Sequence, residues 1–287
     1  MTVQINANAK INLWLDVCAK RANGYHDIVS VMSEVSLHDT LTATRTDGCA
    51  IVLKTDKGLP TDERNLAVRA AKAYFAKTGE PFGVELTLAK SIPMQAGLGG
   101  GSADAAATLK AINTLDGERF SREELAAIGA KVGADVPFCV MGGTALCRGI
   151  GEEITPLKSA LRAALVVAIM GEGVSTPTAF SALDERFENY VDYTADKRPD
   201  ALVSALQNGD ISSTVGALFN RFEEVVEPVR PAVSTLKTAL LENGALGAQM
   251  SGSGPAVFGI FADLATAETA AKALESLGAR AFACETI

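Results

Sequence analysis

The sequence predicts an α+β protein, and three stretches carry that prediction. Residues 9–17 alternate apolar and polar side chains in strand rhythm, residues 84–112 run strand, glycine loop, helix, and the chain beyond residue 163 reads β, helices, ββαβ. At 287 residues the chain holds one large or two ordinary domains. Its organisation restarts near residue 158, which divides it into two segments, 1–158 and 159–287.

In the first strand Ile11, Leu13, Leu15 and Val17 lie on one face, and Lys10, Asn12, Trp14 and Asp16 on the other, the pattern of a strand with one buried side. Lys10 and Asn12 stand two apart, either lining a site or simply solvated. Asn23-Gly24 signals a turn. Tyr25 and His26 follow it, either as ordinary strand-start residues or as flat faces on which a ring stacks. From Ile28 to Leu53 several short strands are expected, broken by turn residues that include Asp47-Gly48. Leu66, Val68, Ala70, Ala73 and Tyr74 then repeat at helical spacing, and Val84, Leu86 and Leu88 alternate as a strand.

That strand feeds Ser91-Ile92-Pro93-Met94-Gln95-Ala96-Gly97-Leu98-Gly99-Gly100-Gly101-Ser102-Ala103-Asp104, with four glycines in five positions opening onto an alanine-rich helix. A helix start carries unpaired N–H groups and about half a positive charge, so such a loop is either a phosphate cradle or a plain tight turn. It is not a Walker A loop, because no lysine follows the glycines until Lys110. It is not a complete dinucleotide fingerprint, because the third glycine position falls on Ser102. Ser102 is expected as the N-cap, with Asp104 in the first turn complementing the helix dipole or reaching a metal through water.

The helix ends near Ile112, before Asn113 and Asp116-Gly117; Ser121 and Glu124 then form a capping box for a helix reaching about Lys131, stopped by Gly133. Asp135, two before Pro137, either caps a short helix or does chemistry. Glycines 142, 143, 149 and 151 bracket a short strand pair, and 163–170 reads as a buried strand. Residues 171–180 form a turn, with Gly173, Val174 and Thr176 in it, leading into a helix with Phe180 at its start; Phe180 is most simply core. Helices over 199–208, 211–220 and 231–241 precede strands at 246–250 and 256–261, which flank Ser251-Gly252-Ser253-Gly254-Pro255. A helix over 264–277 and a strand over 280–284 close the chain.

Composition excludes several classes. The longest apolar run, 163–170, is too short to span a bilayer, and the start lacks a basic segment followed by an apolar core, so a soluble chain without a signal peptide is expected. Five cysteines without metal spacing suit a reducing cytoplasm, and two histidines argue against zinc. A net charge of −8 with no basic run argues against nucleic acid as a partner and leaves a small anionic ligand.

Taken together, Ala9-Lys10-Ile11-Asn12-Leu13 with Gly24-Tyr25-His26, Pro93 to Ala107, Gly133 to Phe138 with Gly142-Gly143-Thr144-Ala145, and Ser251 to Pro255 resemble the GHMP kinase superfamily. The resemblance implies a two-domain fold, with an N-terminal domain like ribosomal protein S5 domain 2 and a C-terminal ferredoxin-like α/β sandwich. It implies ATP and Mg²⁺, with the γ-phosphoryl group moved to a hydroxyl of a small molecule. Lys10-Ile11-Asn12 with Gly24-Tyr25-His26 points to members acting on a cytidylated methylerythritol. The rivals are a kinase of mevalonate, homoserine or a sugar, and a non-catalytic nucleotide sensor.

By the same resemblance Asp135 is the base and Lys10 its cationic partner. Pro93, Gly97, Leu98, Gly99, Gly100, Gly101, Ser102 and Ala103 hold the nucleotide, with Ser102 also a metal ligand. Tyr25 and Phe180 sandwich the cytosine, His26 bonds its edge, and Asn12 and Thr176 lie near the reacting hydroxyl. A cytoplasmic monomer or weak homodimer is implied, with no membrane and no nucleic-acid partner. Two positions depart from the family pattern: Asn23 stands where it has Asp, and Ala103 where it has a second Ser.

Overall fold

A computed structural model describes residues 1–172, 175–187 and 199–287; Gly173 and Val174 of the expected turn lie outside the described residues. The chain forms two compact units. The first comprises Met1–Ala9, His38–Met94 and Gly99–Gly142, and the second Lys10–Leu37, Gln95–Leu98 and Gly143–Ile287. Two long strands, β1 (Thr2–Lys20) and β2 (His26–Thr46), contribute one end to each unit.

β2 replaces the several short strands expected over 28–53. Its Thr40–Thr46 stretch pairs antiparallel with one partner strand and Ser30–Ser33 with another, so a continuous ladder overrides the polar residues that read as breaks. Ser33 and Asp39 are buried; Ser33 shares a hydrogen bond with Thr144 and Asp39 pairs with a lysine.

In the first unit β3 (Ile51–Thr55) runs parallel to β4 (Gly83–Ala89), and β4 pairs antiparallel with β2. Leu88 sits opposite Leu41 and Leu86 opposite Ala43, all four buried. Helix α1 (Leu66–Thr78) is capped by Asn65, whose Oδ1 accepts the Ala67 N–H, and ends at Gly79 in the left-handed region. It packs on α2 (Gly100–Leu115). α3 (Arg122–Gly129) opens with the expected Ser121–Glu124 capping box, and α4 (Val136–Met141) packs on α2 and α3.

In the second unit β5 (Thr144–Arg148) joins β2 to β6 (Glu153–Leu157). β7 (Ala164–Ile169), buried throughout, starts the second layered structure. α5 (Thr176–Arg186) is capped by Ser175, and α6 (Asp200–Asn208) follows its expected bounds. The helix expected over 211–220 stops early, as α7 (Ile211–Gly216). Phe219–Asn220 becomes β8, a parallel partner of β1 in which Trp14 sits opposite Phe219. α8 (Glu223–Val226), not anticipated, is a single turn. α9 (Pro231–Glu242), β9 (Gly247–Met250), β10 (Val257–Phe261), α10 (Leu264–Ser276) and β11 (Arg280–Glu285) complete the unit.

The antiparallel sheet runs β11-β7-β10-β9, which in chain order is fourth, first, third, second, the split arrangement of a ferredoxin-like sandwich. Val166, Ala168, Val257 and Phe261 of the sheet share a buried core with Leu236 and Leu240 of α9 and Leu274 of α10.

β1 departs from expectation in one respect: both of its faces are buried from Lys10 to Cys18. Within the second unit Phe219 packs on Trp14, Arg221 pairs with Asp16 and Ser30 bonds Asn12, so the polar face is covered by partners rather than water. Among the described residues no helix is long and apolar enough to cross a membrane.

The capping box of α3 gives a direct check on local stability. Ser121→Ala is expected to cost about 1 kcal/mol, read as a lowered denaturant midpoint with an unchanged slope.

Candidate active site

The glycine loop leaves β4 and enters α2 through Gly99, which serves as N-cap at φ 67° with no side-chain cap. Ser102, expected as that cap, lies instead inside the first turn and is half-buried. The left-handed step costs glycine nothing, so the backbone turns into helix three residues earlier and needs no hydroxyl. The Ala103 N–H donates to Gly99 O at 2.9 Å. By helix geometry the N–H groups of Gly100, Gly101 and Ser102 lack intrahelical partners, and these are the donors such a terminus offers to a phosphate.

In the second unit the preceding residues are held by backbone contacts. Lys10 N–H donates to Leu98 O at 3.0 Å, and Ala256 N–H to Ala96 O at 3.2 Å. The Ser251 hydroxyl donates to Gly97 O at 3.0 Å and accepts the Asn12 N–H at 3.3 Å. Gly97 sits at φ 79°, and a Cβ there would lie 2.1 Å from Ser251 O. Asn220 Nδ2 donates to both Met250 O and Gly252 O, bracing the Ser251–Pro255 segment. Sequence reasoning missed Asn220, which lies in a stretch read as helix.

Lys10 is not a solvated strand lysine. It is 5% exposed, and its Nζ donates to Asn12 Oδ1 at 2.7 Å. Asn12 Nδ2 donates to Ser30 Oγ, and Ser30 Oγ to Trp14 O, both at 2.8 Å. A buried ammonium held this way is costly unless its bonds are made, which favours a defined task over incidental placement. Asp135 occupies the N-cap position of α4, half-buried, yet makes no capping bond. Pro137 stands at the second helical position and has no N–H to offer, so the structural role open to Asp135 in the sequence is not the one observed.

Asp104 does not serve the helix dipole. It is buried and pairs with Lys90 at 2.7 Å. Burial raises its carboxyl to about 7, against the pull of Lys90.

His26 and Phe180 come together in the second unit, with ring centroids 4.6 Å apart and planes 11° from parallel. Phe180 also meets Phe222 edge-on at 4.9 Å. His26 Nε2 lies 2.7 Å from Asp184 Oδ1, and Lys20 Nζ donates to the other oxygen of Asp184 at 2.6 Å. Phe180 and Asp184 are four apart on α5 and so share a face, a spacing that could have flagged Asp184 in the sequence. Tyr25, the residue before His26, is 60% exposed. Thr176 Oγ1 is 3.0 Å from Ser253 Oγ. Among the described residues no group of three His, Cys, Asp or Glu is placed to hold a metal.

Residues 65–143 match the model of the GHMP kinases N terminal domain, and residues 202–280 that of the GHMP kinases C terminal. The chain belongs to the GHMP kinases. A 4-diphosphocytidyl-2-C-methyl-D-erythritol kinase of Caldicellulosiruptor saccharolyticus is 42% identical over 274 residues, 94% of this chain and 92% of that one. That of Exiguobacterium sibiricum is 44% identical over 263 residues, 91% and 89% of the two chains. A crystal structure of 4-(cytidine 5'-diphospho)-2C-methyl-D-erythritol kinase superposes with a TM-score of 0.84 at 33% identity, covering 99% of each chain. A homoserine kinase from Cytophaga hutchinsonii shares the fold, with a TM-score of 0.76 at 21% identity over all of this chain and 94% of that one.

The close approach at Gly97 can be tested without any ligand. Gly97→Ala is expected to destabilise by about 2 kcal/mol or more, from the left-handed φ and the contact with Ser251 O. Gly101→Ala meets only Leu66 Cδ1 at 3.4 Å and is expected to be near neutral. Denaturant unfolding of the two variants checks the contrast.

Proposed function

We propose that this chain moves the γ-phosphoryl group of ATP to the 2-hydroxyl of 4-diphosphocytidyl-2-C-methyl-D-erythritol, giving the 2-phosphate and ADP, in non-mevalonate isoprenoid synthesis. The observation that carries the proposal is identity above 40% over nine-tenths of the chain to kinases named for that alcohol. The buried Lys10–Asn12 pair supports the site assignment.

In this mechanism Asp135 accepts the proton of the attacking hydroxyl. Lys10, held by Asn12, offsets negative charge on the group in transfer. The N–H groups of Gly100, Gly101 and Ser102 bind phosphate oxygens at the start of α2, with Pro93, Gly97, Leu98, Gly99 and Ala103 shaping the backbone around them. Mg²⁺ supplies charge neutralisation on the phosphates, and the Ser102 hydroxyl is the protein group proposed to reach it. Phosphoryl transfer is mainly positioning and electrostatics, so these donors matter as much as the base.

Tyr25 and Phe180 stack the cytosine, and His26, oriented by Asp184, addresses its edge. Thr176 and Asn12 lie toward the reacting hydroxyl. Segments 1–158 and 159–287 act as the nucleotide-side and substrate-side domains of a cytoplasmic monomer or weak homodimer.

ADP release from the purified chain with Mg-ATP and the cytidylated alcohol, run beside mevalonate, homoserine and galactose, tests the proposal. Turnover with the cytidylated alcohol alone is expected, and turnover with another acceptor alone would overturn it. Asp135→Asn is expected to lower kcat by about 10²–10⁴-fold; a native kcat would remove Asp135 from the role of base. Tyr25→Ala and Phe180→Ala are each expected to raise KM for the cytidylated substrate, because one stacked base is worth about 1–3 kcal/mol. An unchanged KM in both would dismiss the stacking assignment.

A further inference from the structure

One buried ion network in the first unit grips the glycine loop at both ends, and the mechanism above leaves it without a task. Lys90, the residue after β4, is buried together with Asp39 of β2 and Asp104 of α2. Its Nζ donates to Asp39 Oδ2 and, at 2.7 Å, to Asp104 Oδ2. Asp39 Oδ1 accepts the N–H groups of Ser91 at 2.6 Å and Ile92 at 2.8 Å, the first residues of the loop. The Lys90 N–H is itself bonded to Asp56 Oδ1 at 3.1 Å. At the other end, a Cβ on Gly100 would lie 3.6 Å from Lys90 Nζ, so the ammonium sits against the start of α2.

Stability alone is a poor explanation for this arrangement. A buried ion cluster replaced by packed apolar residues is often neutral or stabilising, because desolvation offsets the attraction. Here one oxygen, Asp104 Oδ1, is buried with no hydrogen-bond partner at all, a further cost. What the network does supply is directional. The loop carries glycines at 97, 99, 100 and 101, which have little conformational preference of their own, so its path must be imposed by its attachments. Asp39 fixes where the chain leaves β4, and Asp104 fixes where α2 begins; Lys90 ties the two carboxylates together.

We propose that Lys90, Asp39 and Asp104 form a positioning trio that sets the loop so that the first-turn N–H groups of α2 meet the nucleotide phosphates. The proposal rests on the assignment of that loop to ATP. In this proposal the three act through backbone.

The test compares Asp104→Leu, which removes the grip on α2, with Asp104→Asn, which keeps an oxygen for Lys90 Nζ. Amide hydrogen exchange in the free protein reads the loop, and KM for ATP against KM for the cytidylated alcohol reads the consequence. For Asp104→Leu we expect exchange across 93–101 at least about tenfold faster, α10 unchanged, KM for ATP raised about tenfold and the acceptor KM within about twofold. Asp104→Asn is expected to return both readouts close to native. Native exchange and native KM for ATP in Asp104→Leu would overturn the proposal. So would a parallel rise in both KM values with faster exchange throughout the first unit, which marks a general structural cluster. If Asp104→Leu does not fold, Asp39→Asn carries the test, with the same split expected and native values overturning it. A loosened loop with native KM for ATP would uphold the clamp and instead refute the placement of ATP at this loop.

Discussion

The second unit turns on one close approach, the backbone of Gly97 against the backbone of Ser251. A Cβ at Gly97 would stand 2.1 Å from Ser251 O, so the contact exists only because glycine has none. The Ser251 hydroxyl then bonds both Gly97 O and the Asn12 N–H, which ties three stretches far apart in sequence into one arrangement. Asn220 and Glu223 hold the Ser251 side of the contact through Met250 and Gly252. This approach seats residues 95–98 against the Ser251 segment within the second unit.

Buried polar groups do much of the positioning in both units, through directional bonds. Lys10, Asn12, Ser30 and Trp14 O form a chain in which every link is a donor meeting an acceptor. Asp16, fully buried, is matched by Arg221, and the Arg221 guanidinium lies 5.1 Å from the centre of the Phe219 ring. Such groups cost solvation energy and return geometry, the exchange expected where side chains must hold one orientation for chemistry. The apolar cores around them, β7, β10 and α9 in one unit and α1, α2 and β4 in the other, supply the stability that tolerates that cost.

The helix that opens the loop illustrates how glycine substitutes for a polar cap. α2 begins at Gly100 after a left-handed Gly99, with no side chain closing its first turn. A cap would satisfy one of the N–H groups that a phosphate needs. Leaving the terminus uncapped keeps the donors of Gly100, Gly101 and Ser102 for a ligand, at a modest loss in helix stability. Asp135 at the start of α4 makes no capping bond, and Pro137 at the second helical position has no N–H to offer it.

The sequence by itself determined the local elements whose signals are local. The Ser121–Glu124 box, the alternation of β4, the buried run of β7 and the ββαβ close of the second unit were all legible, because propensity, capping and period act within a few residues. The motifs around Lys10, Gly97 and Asp135 were legible for the same reason, as short stretches of unusual composition. What only the tertiary structure decided were features set by partners distant in sequence. β2 is one strand because β4 and β5 pair with its two halves, and β1 is buried on both faces because Phe219, Arg221 and Ser30 cover the polar one. Phe219–Asn220 left a helical pattern to pair with β1, since a ladder bond outweighs weak propensity. Asp104 read as a helix-dipole residue or a metal contact through water, and the structure pairs it with Lys90, fourteen residues away, a pairing that no spacing rule within a helix encodes.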